Sequence, residues 1–238
     1  MVKDTKHMNI TTKILRRLSL FLIIIFIGIS CSQRQQDKQS DNFSNKNGLT
    51  RLIEGNERFV ANHPIHPDQT LEKLRELEKG QHPFAVVISC SDSRVPPELI
   101  FDQGFGDLFI IRNAGNIIAD YEIGSVEYAV EHLHTKLVIV LGHSKCGAIG
   151  AYLEHQYDSI PNHIQSIVDY IKNEPEELAI DKNNPNLYDE SIIANVLHGV
   201  HILQQSEPVL KEFIKKKELI IVGAVYDIHS GKVNIISE

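Results

Sequence analysis

Two stretches of this chain carry metal-binding side chains at the ends of short apolar runs. They are Phe84-Ala-Val-Val-Ile-Ser-Cys90-Ser-Asp92-Ser-Arg94 and Leu137-Val-Ile-Val-Leu-Gly-His143-Ser-Lys-Cys146-Gly147. Each run is rich in β-branched residues and stops abruptly in small or polar ones. Two thiolates and one imidazole suit Zn²⁺, and three protein ligands leave a fourth position for water, the pattern of a catalytic rather than a closed structural site. Cys90 and Cys146 are not in a Cys-x-x-Cys arrangement, which argues against a thiol redox centre. Free cysteine is also among the most buried residue types. A simple core role competes for each cysteine alone, but it does not explain His143 and the Asp92/Arg94 pair beside them.

For these residues to meet, both runs must be strands of one sheet whose carboxyl ends lie together, where open α/β sheets bind their ligands. The pattern predicts strands over 84–90, 107–112, 137–141 and 218–226. Their near-continuous Val, Ile and Leu is the mark of parallel strands buried on both faces. Helical spacing alternates with them: Leu49, Leu52, Ile53 and Val60; a helix over 70–79 with Leu71, Leu74 and Leu77 on one side and Gly80 as its stop; Ile123 to Leu133; Ile164 to Ile171; Ile193 to Val200; Val209 to Ile214. Alternating strands and helices imply an α/β fold. Ser230-Gly231 then turns the chain into an added edge strand over 232–236. The expected architecture is a mainly parallel four-stranded sheet plus that edge strand, flanked by helices.

The chain has 238 residues, enough for one domain with a large core, and its composition is that of a globular protein. Its three cysteines make no disulfide framework. The formal charge of −7 excludes nucleic acid as a natural partner, since binding there depends on Lys and Arg against phosphate. Lys13, Arg16 and Arg17 precede the apolar run from Leu20 to Ile29, and small residues lead to Cys31. That is the pattern of a secretory signal peptide over 1–30. The run is too short to span a bilayer comfortably, which takes about 20 apolar residues, though an uncleaved anchor stands as an alternative. Gly28-Ile-Ser-Cys31 resembles the bacterial lipobox, with Gly28 where leucine is usual, and implies a lipid-modified Cys31. Residues 31–48 are polar and read as a flexible tether, and the catalytic domain follows over 49–238. The expectation is an exported, cell-envelope or periplasmic lipoprotein, attached to the membrane only through its anchor.

Cys-Ser-Asp-Ser-Arg over 90–94, followed by His143-x-x-Cys146, resembles the β-class carbonic anhydrases. The resemblance extends over 49–238, with Arg112-Asn113 and Glu127-Tyr-Ala-Val130 among its residues. It implies reversible hydration of carbon dioxide to bicarbonate, one zinc ion per subunit on Cys90, His143 and Cys146, and a homodimer or higher homo-oligomer. A zinc-bound water ionises near pH 7 and supplies hydroxide to attack the CO₂ carbon. Asp92 is two residues past Cys90 and is expected to orient that hydroxide, held ionised by a bidentate pair with Arg94. Gln81, Phe109 and Tyr128 match pocket residues of the family's plant-like subtype, and Gly147 supplies a backbone N–H to substrate. The allosteric subtype carries a tryptophan before the first cysteine, and this chain has none. The resemblance therefore implies an open zinc position and a pocket completed by a neighbouring subunit.

Plainer readings stand beside these. Asp92 with Arg94 also fits a structural ion pair. Gln81 also fits a turn beside Gly80, and the helical spacing of Tyr128 also fits core. His198 and His201 share a helix face with no neighbouring carboxylate or cysteine in the sequence to join them. His63, His66, His132 and His134 read as solvated or hydrogen-bonded side chains. Lys215-Lys-Lys217 suits a helix C-terminus. Hydrolysis of CS₂ or COS on the same scaffold, and a non-catalytic zinc site closed by Asp92, are the competing functions.

Overall fold

The structure is a computed structural model that describes residues 48–155 and 161–237. The expected signal peptide and the tether up to residue 47, Cys31 included, lie outside the described residues. Helix α1 (Gly48–Val60) is amphipathic and lays Leu52 into the core. Helix α2 (Leu71–Leu77) is capped by Thr70, whose hydroxyl accepts the Lys73 N–H at 3.2 Å. Strands β1 (Ala85–Cys90), β2 (Leu108–Asn113), β3 (Leu137–His143), β4 (Ile220–Tyr226) and β5 (Val233–Ser237) form one sheet in the order β2-β1-β3-β4-β5. The first four run parallel, and β5 pairs antiparallel with β4.

Side chains alternate across the sheet, so Val87, Ile139, Leu141 and Val222 enter one core while Val86, Ile88, Val138 and Val140 enter the other. Helices cover both faces. On the first lie α1, α3 (Pro97–Ile100), α5 (Gly147–Glu154) and α6 (Ile164–Lys172); on the second lie α4 (Asp120–His132) and α9 (Val209–Lys215). The long helix α8 (Leu187–Gln205) contributes to both, Ile192 to one and Val196, Val200 and Leu203 to the other. Strands β1 and β3 are wholly buried, as continuous apolar runs predict. Strand β2 is not: every one of its residues keeps some exposure, because it occupies the edge of the sheet. The expected helix over 70–79 is present as α2, and its leucine side is not core. It buries no residue, and Leu71 is 67% exposed.

Four short elements have no strong sequence pattern: α3, a 3₁₀ turn (Ala114–Asn116), α5 and α7 (Pro175–Leu178). Elements of three or four residues are too short to display a helical period. In α5, Gly147, Ala148, Gly150 and Ala151 blur it.

Buried polar side chains tie the covering elements down. Asn56 on α1 donates to the carbonyls of Ile100 (3.2 Å) and Gly231 (2.9 Å) and accepts the Val233 N–H (2.9 Å), so one amide joins α1, α3 and the β5 edge. Glu177 on α7 pairs with Lys182 (2.7 Å) and accepts from Ser191 on α8 (3.1 Å). The absence of a carboxylate near His198 and His201 in sequence is corrected here. Glu176 on α7 accepts from His198 Nδ1 (2.8 Å) and His201 Nδ1 (2.5 Å), because α7 folds back against α8.

Glu174, just before α7, is buried with neither carboxyl oxygen hydrogen-bonded. Burial first, then the charges of Glu177 and Glu176, push its pKa up from 4.5 to about 9. The folded chain thus keeps a proton that the unfolded chain gives up. The stability this contributes is whole below pH 4.5 and is lost as pH rises towards 9. Glu174→Gln is expected to leave Tm nearly unchanged at pH 5 and to raise it by about 5 °C or more at pH 8.5. Thermal unfolding across that range checks this, and parallel curves for the two proteins would contradict it.

Candidate metal centre

Cys90 is the last residue of β1 and His143 the last of β3, two strands that lie side by side at the centre of the sheet. Three residues after His143, Cys146 is the N-cap of α5. The turn between them is tight, with Lys145 in the left-handed region at φ 56°. All three side chains are buried, and their two sulfurs and a ring nitrogen lie within 4.8 Å of one another. Among the described residues, no other group of three or more His, Cys, Asp or Glu side chains meets in this way.

The donor set fits zinc. A tetrahedral ion with Zn–S bonds of about 2.3 Å holds its ligand atoms about 3.8 Å apart, within the span available. His143 Nδ1 lies 3.0 Å from the Ser144 carbonyl, which fixes the proton on Nδ1. Nε2 is left buried without a hydrogen-bond partner, which is the state of a ligand nitrogen. Ser144 is itself held, since its N–H donates to the Tyr226 carbonyl (2.9 Å) and its Oγ accepts the Ile228 N–H (2.9 Å).

Backbone donors point at both sulfurs. The Gly115 N–H reaches Cys90 Sγ at 3.4 Å, and the N–H groups of Ile149 and Ala148 at the start of α5 serve Cys146. Gly115 has φ 80°, and an added Cβ there would lie 2.8 Å from the Ala148 Cβ, so only glycine brings this N–H to the sulfur. The two buried thiols are driven in opposite directions. The hydrogen bond from Cys146, with help from backbone N–H groups, pulls Cys90 down to about 4. The same bond and burial push Cys146 up. A divalent cation relieves this conflict by holding both sulfurs as thiolates.

Asp92 lies beside the cluster but is not part of it. Its Oδ1 accepts from the Arg94 backbone N–H and Nε, both at 2.9 Å, and its Oδ2 accepts from Arg94 Nη2 at 2.6 Å. The Arg94 guanidinium holds the Asp92 carboxyl far below the usual carboxylate range. Arg94 Nη2 also donates to the Lys145 carbonyl (3.2 Å), linking the two ligand-bearing turns. Arg112 has a further part that its place in the motif does not disclose. Its Nε donates to the Cys90 carbonyl (3.0 Å) and its Nη2 to the Asp92 carbonyl (2.8 Å), clamping the turn from β2. The available signal was a lone cation at the end of an apolar strand.

The remaining predicted residues divide between two ends of the sheet. Gly147 opens α5 directly after Cys146 and has open space around it. Gln81 is exposed in the coil before β1, so the length of that strand, about 17 Å, separates it from Cys90. Phe109 pairs in register with Val86, four residues below Cys90, or about 13 Å along the strand. Its ring meets Tyr128 at 6.2 Å, and Tyr128 meets His132 at 5.2 Å. Tyr128 is 48% exposed, so it is not core. Within one chain, Gln81, Phe109 and Tyr128 do not join the metal ligands.

This arrangement can hold a divalent cation, keep a carboxylate ionised beside it and offer a backbone N–H to a small substrate. A family model described as carbonic anhydrase matches residues 85–233. Carbonic anhydrase 2 of Mycobacterium tuberculosis is 40% identical over 183 residues, which cover 76% of this chain and 87% of that one. Among solved structures, a tetrameric β-carbonic anhydrase of Sordaria macrospora aligns with TM-score 0.60 and 30% identity over 68% of this chain and 85% of its own. The β-carbonic anhydrase CafA of Aspergillus fumigatus aligns with TM-score 0.60 and 29% identity over 79% and 88%. The family model and these relatives agree, and the chain belongs to the β-class carbonic anhydrases, enzymes that hydrate carbon dioxide.

Proposed function

We propose that this carbonic anhydrase hydrates CO₂ reversibly at a zinc ion held by Cys90, His143 and Cys146. The observation that carries this reading is the meeting of those three donors, with Asp92 bound by Arg94 beside them and not among them. Zinc, when bound there, lowers the pKa of water to about 7 and supplies a nucleophile at neutral pH. Asp92, ionised and fixed by the Arg94 fork, accepts the O–H of the attacking water. A carboxylate can only accept, so it selects the orientation that turns the oxygen lone pair toward the CO₂ carbon. The Gly147 N–H, at the first turn of α5, is suited to a developing bicarbonate oxygen. The Arg94 pair also disfavours a closed, non-catalytic zinc site, because Asp92 would have to give up three hydrogen bonds to reach the metal. With no tryptophan in the chain, the plant-like subtype is the reading retained.

The working unit is a homodimer or a larger assembly in which one chain's Gln81, Phe109 and Tyr128 face the metal of the other. Two features support this: β2 is a partly exposed edge, and those residues are exposed or half-exposed and remote from their own chain's ligands. We also propose that the enzyme is exported and held at the cell envelope through lipid on Cys31, from the basic and apolar segment preceding that cysteine.

Asp92→Asn is expected to keep about one zinc per chain and to lower the CO₂ hydration rate at least tenfold, as read by metal analysis and stopped-flow assay. Loss of zinc, or an unchanged rate, would remove Asp92 from this role. For the shared pocket, Asp92→Asn chains are mixed and refolded with Phe109→Ala/Tyr128→Ala chains. Hybrid dimers then contain one fully native site, and activity should recover to about a quarter of the wild-type level. No recovery would mean that each pocket is built within one chain. Cys31→Ala should abolish incorporation of labelled fatty acid in cells that export the protein, and labelling that persists would contradict the anchor.

A further inference from the structure

We infer that helix α8 presets the metal site, with Tyr188 and Asn195 as positioning residues for its two sulfur ligands. This rests on the zinc reading above but concerns residues outside the metal motifs. Tyr188 Oη donates to the Cys146 carbonyl at 2.6 Å. That carbonyl also accepts the Gly150 N–H (3.0 Å), so the hydroxyl adds a second hold on the residue that starts α5. The ring can approach because position 150 is glycine: a Cβ there would sit 3.1 Å from Tyr188 Oη. Seven residues along, Asn195 is 3% exposed and donates its amide to the Gly115 carbonyl at 2.9 Å. Gly115 is the residue whose own N–H reaches Cys90 Sγ.

A separation of seven residues is two helical turns, so Tyr188 and Asn195 share one face of α8. The same helix presses on the third ligand's strand through Ile192 and Val196. Gly142 directly precedes His143, and a Cβ on it would lie 2.5 Å from Val196 Cγ2 and 3.5 Å from Ile192 Cγ2. One rigid helix therefore bears on Cys146 through a tyrosine, on Cys90 through an asparagine and a glycine N–H, and on His143 through the close packing of its strand. A rigid element spanning all three ligands lowers the conformational freedom they must lose when a cation arrives. That is how groups outside the ligand set raise metal affinity.

The test measures zinc affinity of the full chain by competition with a chromophoric chelator, for Tyr188→Phe, Asn195→Ala and the control Val200→Ala. Val200 is buried on α8 at 2% exposure, in the core cluster that contains no metal ligand, and its truncation destabilises the helix without touching a ligand turn. Tyr188→Phe and Asn195→Ala should each weaken zinc binding about tenfold or more, while Val200→Ala lowers Tm and leaves affinity within about twofold. Tyr188→Phe keeps the ring, so it remains an adequate test if Asn195→Ala does not fold. Zinc affinities for both positioning variants equal to wild type, or losses no larger than in Val200→Ala, would overturn the inference. A wild-type chain that binds no zinc would instead refute the metal reading beneath it.

Discussion

Two sulfurs and an imidazole buried together form an unstable neighbourhood unless something positive lies among them. Burial disfavours a thiolate, and two adjacent thiolates disfavour each other. The protein meets this constraint by aiming backbone N–H groups at both sulfurs, from Gly115 on one side and the start of α5 on the other. These donors only partly offset the cost. The leftover conflict, one thiol pulled down and the other pushed up, is what a divalent cation resolves. Two of the three ligands accordingly end the wholly buried strands β1 and β3, and the third starts the helix that follows β3.

Charge around this centre holds the ligand-bearing turns in place. Arg94 occupies both oxygens of Asp92 and also reaches the Lys145 carbonyl, so the carboxylate is ionised and fixed. Arg112 takes the two carbonyls of the same turn. Both arginines bond to oxygens and act by keeping backbone and carboxylate in register. An Arg fork matches these oxygens where the point charge of a lysine would not, because its planar N–H groups meet two acceptors at once.

The outer surface divides its work by sheet edge. At one edge β5 is tied to α1 by Asn56. At the other, β2 stays partly exposed beside the tilted rings of Phe109, Tyr128 and His132. An exposed parallel edge flanked by aromatic rings is a natural surface for a second copy of the chain, since unpaired backbone groups and apolar rings are both relieved on association.

Much of the chemistry was legible in the sequence. Two apolar runs ending in Cys90 and His143, with Cys146 three residues on, identify the strands and donors because strand period and turn chemistry are local properties. Asp92 and Arg94 are equally local, two residues apart in one turn. What the sequence could not disclose are contacts made across 20 to 80 positions: Arg112 on the Cys90 turn, Glu176 between His198 and His201, Tyr188 and Asn195 on the ligand loops. The edge position of β2, and with it the distance from Phe109 to the ligands of its own chain, belongs to the same class. Residue type and spacing determine which groups can bind a metal. Strand order and helix packing alone determine which distant groups surround them, because those neighbours meet only when the whole sheet is assembled.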